Sequence, residues 1–174
     1  SYPYASRDEA LTQVTGLKPR FPDYTSYANA TMDDIFTPEE LSDAVTLEAP
    51  EFRSVWLENT GSGFVVHPLP AEAQFAPIHA LAVWDADGDG DNDLLAAGNE
   101  TYTRVRIGRS DANHGLMMLN DGKGNFSAVP QARTGLKLSG DVRGLILITD
   151  GKGNTTLITG ETGMPLRTFR SVHK

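Results

Sequence analysis

The run Asp85-Ala86-Asp87-Gly88-Asp89-Gly90-Asp91-Asn92-Asp93 places a carboxylate at every second position of nine residues. Held in one tight loop, that much negative charge repels itself by several kcal/mol unless a cation relieves it. The spacing matches the start of a calcium loop. Such loops carry carboxylates at positions 1, 3 and 5, glycine at 6 for a sharp turn, and a backbone carbonyl at 7. Here those positions fall on Asp85, Asp87, Asp89, Gly90 and Asp91.

An EF-hand is not expected. Its twelfth position needs a bidentate Glu, and this chain has Ala96. The flanks, Ile78–Trp84 and Leu94–Ala97, are short apolar runs bounded by turn residues and read as strands. Asp93 then stands where the Glu is missing, and the expectation is a calcium-binding β-hairpin. Every candidate ligand is an oxygen, which favours calcium over zinc. Magnesium keeps its waters and rarely sits in an all-protein cage.

The 174 residues suffice for one domain with a sizeable core, and 39% hydrophobic with 22% charged residues is ordinary for a folded protein. A net charge of −8 argues against nucleic acid or anionic membranes as partners. No cysteine is present, so disulfides and thiolate metal sites are excluded. No apolar run approaches a membrane span. The chain opens Ser1-Tyr2-Pro3-Tyr4, without signal peptide or initiator Met, as expected of a piece cut from a longer protein.

Residues 1–50 carry helix-start signals. Ser6 and Glu9 form a capping box ahead of Ala10, Leu11 and Val14. Thr37-Pro38-Glu39-Glu40 opens a helix expected to run to about Leu47. Short helical turns are expected around Tyr24–Ala28 and Thr31–Phe36, while Pro19 and Pro22 prevent one continuous helix. The aromatic residues there are read as packing groups. Residues 51–174 read as strands at 53–58, 63–67, 78–84, 94–97, 102–107, 115–119, 125–129, 143–148 and 155–159, separated by glycine turns.

A repeat is visible. Trp56-Leu57-Glu58-Asn59-Thr60-Gly61-Ser62-Gly63-Phe64 echoes Met118-Leu119-Asn120-Asp121-Gly122-Lys123-Gly124-Asn125-Phe126, with Leu147–Thr155 as a weaker third copy. A period near 60 with four short strands per unit fits the blades of a β-propeller. The expected fold is therefore mainly β: a partial propeller of about two four-stranded blades over 51–174, with a helical insertion or linker over 1–50.

On these residues the chain resembles the FG-GAP/VCBS repeat family, the calcium-loop propellers also found in integrin α-subunits. The acidic run 85–93 with Leu94-Leu95 and the 120–126 hairpin carry the likeness. The segments 68–77 and 98–115 are more specifically similar to bacterial cell-surface members of the cartilage acidic protein type, with ASPIC/UnbV-like neighbours. The resemblance implies calcium bound by the side chains of Asp85, Asp87, Asp89 and Asp93 and by the carbonyl of Asp91. It also implies an extracellular, cell-surface or periplasmic bacterial setting.

Two blades cannot close a ring, so a second copy or the missing blades of a parent protein are expected partners. The expected function is a calcium-stabilised extracellular propeller fragment serving as a binding or interaction module for a protein or glycan. The alternatives are a structural piece that completes a larger assembly and, third, a propeller-based enzyme.

Catalytic signals are weak, and no enzymatic activity is expected. His67, His79, His114 and His173 lack zinc-ligand spacing. Arg109, Asp111 and His114 lie within six residues, but a structural turn with Arg109 paired to Asp111 accounts for them. No nucleophile elbow or phosphate loop is present. Trp56 and Trp84 fall in strand patterns and are read as core residues.

Overall fold

The computed structural model describes residues 1–170 and divides the chain into two units, Ser1–Pro50 and Glu51–Lys174. His173 lies outside the described residues.

The first unit holds four short helices: α1 (Arg7–Gln13), α2 (Tyr24–Ala28), α3 (Met32–Ile35) and α4 (Pro38–Leu41). Helices this short leave most of their backbone N–H groups without an intrahelical partner. All four are opened by a reciprocal capping box: Ser6 with Glu9, Asp23 with Ser26, Thr31 with Asp34, and Thr37 with Glu40. Leu17, Phe21, Tyr27, Ala30 and Ile35 form the core, with Phe21 and Tyr27 edge to face at 5.4 Å. Tyr24 instead stays exposed, its hydroxyl donating to Asp8 at 2.8 Å. The helix expected to reach Leu47 stops at Leu41, because α4 has no buried face to hold a longer one.

The second unit carries β1 (Val55–Asn59), β2 (Phe64–Pro68), β3 (Ile78–Trp84), β4 (Asp93–Gly98), β5 (Leu116–Asn120), β6 (Phe126–Ala128), α5 (Gln131–Thr134), β7 (Val142–Thr149), β8 (Thr155–Glu161) and β9 (Arg167–Arg170). The strands form three antiparallel sheets, β1-β2, β3-β4-β5-β6 and β7-β8-β9. Strand β4 is the central layer. Its Leu94 and Ala96 face a cluster with Trp56, Leu69, Ala73, Met118 and Phe126. Its Leu95 and Ala97 face Leu138, in the segment before β7, and Val142, Leu145 and Leu157 of the third sheet. Burial on both faces explains its continuous apolar run.

The partial propeller is not what forms. The sheets have two, four and three strands, and each stays open, so there are neither two equal blades nor a curled or closed ring. Part of the reason lies at 102–107, expected as a strand. Val105 there is fully exposed, and the segment pairs with no strand among the described residues, its ends meeting in an isolated bridge between Glu100 and Ser110. An alternating pattern with no surface to bury against does not make a strand. The echoed segments do form like hairpins, closing at Asn59–Phe64 and Asn120–Phe126.

Candidate metal-binding loop

The loop 85–92 joins β3 to β4 and is closed by the pair Trp84 and Asp93. Gly88 and Gly90 sit at φ 87° and 98°, a region that residues with a Cβ seldom enter. The aspartates organise the turn through their own backbone, as short acidic side chains do. Asp85 accepts the N–H of Gly88 at 2.7 Å on Oδ1 and that of Gly90 at 3.0 Å on Oδ2. Asp87 accepts from Asp89 at 3.3 Å, and Asp89 from Asp91 at 2.9 Å.

The result is a convergent trio. Asp85, Asp87 and Asp89 each offer one carboxylate oxygen, and these oxygens lie within 4.8 Å of one another. All three residues are exposed. The Asp87 carboxyl is held above the ordinary aspartate value, first by partial desolvation and then by the charges of Asp89, Asp93 and Asp85. Such a group is relieved by a nearby cation. The donor set is all oxygen, which suits a hard ion of the calcium class. Ala96, at the twelfth loop position, is fully buried in β4, so the EF-hand arrangement is absent.

The other two aspartates stand apart from the trio. Asp93 is fully buried, and its carboxylate is taken up by structure: Oδ2 accepts the N–H of Ala86 and Oδ1 that of Asn120, both at 2.8 Å. The Asp91 carboxylate lies against Gly122 in the neighbouring β5–β6 turn, where a Cβ would come 3.0 Å from its Cγ. The two turns are further joined by Asn120, whose Nδ2 donates to the Asn92 carbonyl at 3.3 Å. The carboxylates of Asp91 and Asp93 thus make contacts outside the trio, while the ligand expected of Asp91 is its backbone carbonyl.

Of the other residues singled out by sequence, Arg109 and Asp111 form an exposed ion pair at 3.6 Å. The carbonyl of His114 accepts the N–H of Leu138 at 3.0 Å. Trp56 stacks on His67 at 4.5 Å, and Trp84 packs against the cluster around Leu95 and Leu157.

A buried polar group went unread in the sequence. Asn99 is fully buried at φ 112°, donating to the carbonyls of Asn113 at 2.8 Å and Gly140 at 3.1 Å, and accepting the Asn113 N–H at 2.9 Å. Buried Asp141 accepts from Thr101 through Oδ2, while its Oδ1 has no hydrogen-bond partner. Buried Glu161 pairs with Arg167 and accepts the Gly140 N–H at 3.1 Å. The one local signal was Gly98-Asn99, a turn-forming pair that tolerates positive φ.

No family model, curated protein or solved structure matches this chain. The FG-GAP/VCBS description is corrected accordingly, together with the propeller-based binding or interaction module that followed from it. Three open sheets stand where blades were expected, and three of the five aspartates converge. Among the described residues no helix is long and apolar enough to cross a membrane.

Proposed function

We propose that the β-sheet unit binds a divalent cation of the calcium class in the β3–β4 turn, through Asp85, Asp87 and Asp89, and that this role is non-catalytic. The observation that carries the reading is the convergence of three carboxylates in a loop shaped by two positive-φ glycines. When bound, the cation supplies positive charge that offsets their repulsion. Asp93 serves differently, anchoring the loop to Asn120 from beneath. Loops of this kind outside cells bind calcium weakly, with Kd on the order of 10⁻⁴–10⁻³ M. That range fits a protein working outside the cytosol, at a cell surface or in a periplasm.

The test is thermal unfolding of the whole chain in millimolar calcium and in excess chelator, with Asp87→Ala alongside. Calcium is expected to raise the Tm of the wild type by a few degrees and to leave Asp87→Ala unmoved. Identical curves for the wild type in the two buffers would overturn the reading.

A further inference from the structure

The sheets β3-β4-β5-β6 and β7-β8-β9 diverge on one side and leave an open cleft of about 570 Å³. Its walls include Trp84, Met117, Leu147 and Phe169, each only half-buried. That volume lies within the range of small-molecule sites, which pair an apolar lining with a few polar groups. The charged groups here have one sign. The exposed Arg133, on α5, and Arg170, at the end of β9, both line the cleft, and among the described residues no carboxylate does. In a chain with 23 acidic and 15 basic residues, two guanidinium groups at an apolar cleft lined by no acid among the described residues form a local reversal of charge.

Neither arginine is in a salt bridge among the described residues. Arg7, Arg20, Arg53, Arg109, Arg143 and Arg167 each lie within 4 Å of a carboxylate. Arg170 acts on the Asp150 carboxylate through its charge, and that carboxylate accepts hydrogen bonds from the side chain of Asn154 and the N–H groups of Lys152 and Asn154. A guanidinium recognises a carboxylate through paired N–H donors, and such charge-assisted bonds are strongest beside low-dielectric surface.

The geometry points to a binding site for a small amphipathic carboxylate, its alkyl or aryl body between the sheets and its head group on Arg133 and Arg170. None of the three clustered aspartates lines the cleft, so the inference stands apart from the cation site.

Isothermal titration of the whole chain with decanoate tests it, with decanamide as the uncharged counterpart, in calcium and again in chelator. Decanoate is expected to bind at least tenfold more tightly than decanamide in both buffers. The double variant Arg133→Gln/Arg170→Gln changes only exposed side chains, so it keeps the fold, and it is expected to reduce decanoate to the affinity of decanamide. Failure of decanoate to bind at millimolar concentration, equal affinity for the two probes, or an unweakened double variant would each overturn the proposal.

Discussion

The indole of Trp56 rests directly on the α-carbon of Gly124. A Cβ at that glycine would lie 2.8 Å from Cη2 of the ring and closer still to Cζ2. Gly124 is also held at φ 83°. The contact joins the first sheet to the β5–β6 turn, with Phe126 edge to face on the same indole at 6.2 Å.

Gly124→Ala therefore meets both an unfavourable backbone and a ring that is hemmed in. We expect a loss of about 2–4 kcal/mol from strain and overpacking together. Gly61→Ala, at φ 82° in open space, isolates the backbone component and should cost about 1–2 kcal/mol. Urea unfolding of the two variants checks this. Equal midpoints would mean that the Trp56 contact carries no energy.

Asp93→Ala removes the partner of two backbone N–H groups, those of Ala86 and Asn120. Each orphaned donor costs about 1–3 kcal/mol. We expect a loss on the order of 2–5 kcal/mol in calcium and in chelator alike, since the role is structural. Chemical denaturation in both buffers checks it. A loss confined to the calcium buffer would place Asp93 among the ligands instead.

The aspartates of the turns should titrate on opposite sides of the ordinary value. In Asp121 and Asp150 the carboxyl is held down, first by the side-chain amide of Asn125 or Asn154 and then by backbone N–H groups. Their stabilising contribution is present above the unfolded value of about 3.8 and is lost as pH falls through the lower folded one. Asp87 is raised, so its contribution favours the fold below that value and is lost as pH rises through the folded one. Carboxyl-carbon NMR without metal should show Asp87 titrating last of the three as pH rises. Without metal at pH 7, Asp87→Asn should melt no lower than the wild type, and in calcium below it. The same ranking in both buffers would contradict the electrostatic account.

Asn99 combines a positive φ with three hydrogen bonds inside a closed environment. Asn99→Gly relieves the backbone but forfeits the bonds, and Asn99→Ala forfeits both. We expect losses of about 2–4 kcal/mol for glycine and about 1 kcal/mol more for alanine. Equilibrium unfolding gives the order, and alanine no worse than glycine would show that the backbone there is relaxed.

Local features were legible in the sequence, and tertiary ones were not. Ser6 with Glu9 and Thr37 with Glu40 are capping boxes because the chemistry spans only four residues. Strand 78–84 was readable to its ends, being flanked by Pro77 and Asp85. The aspartate alternation is likewise local, and the loop brings Asp85, Asp87 and Asp89 together. What decides the rest lies far along the chain. Asp93 continues the alternation in sequence, but its bond to the Asn120 N–H depends on a residue far along the chain. Thr103, Val105 and Ile107 alternate like a strand, yet no neighbouring sheet accepts them. Arg167-Thr168-Phe169-Arg170 carries too little apolar pattern to announce β9, which forms because β8 offers an edge. The blade count failed for the same reason, since a repeat of hairpins does not determine how many strands join each one.

One carboxyl group spans the distance from the acidic turn to Asn120, 27 residues away. The amide proton of Asn120 thus becomes a remote witness to events in the first loop. Its exchange with solvent should slow when the aspartate trio is filled and quicken when that loop relaxes, although Asn120 itself touches no part of the trio.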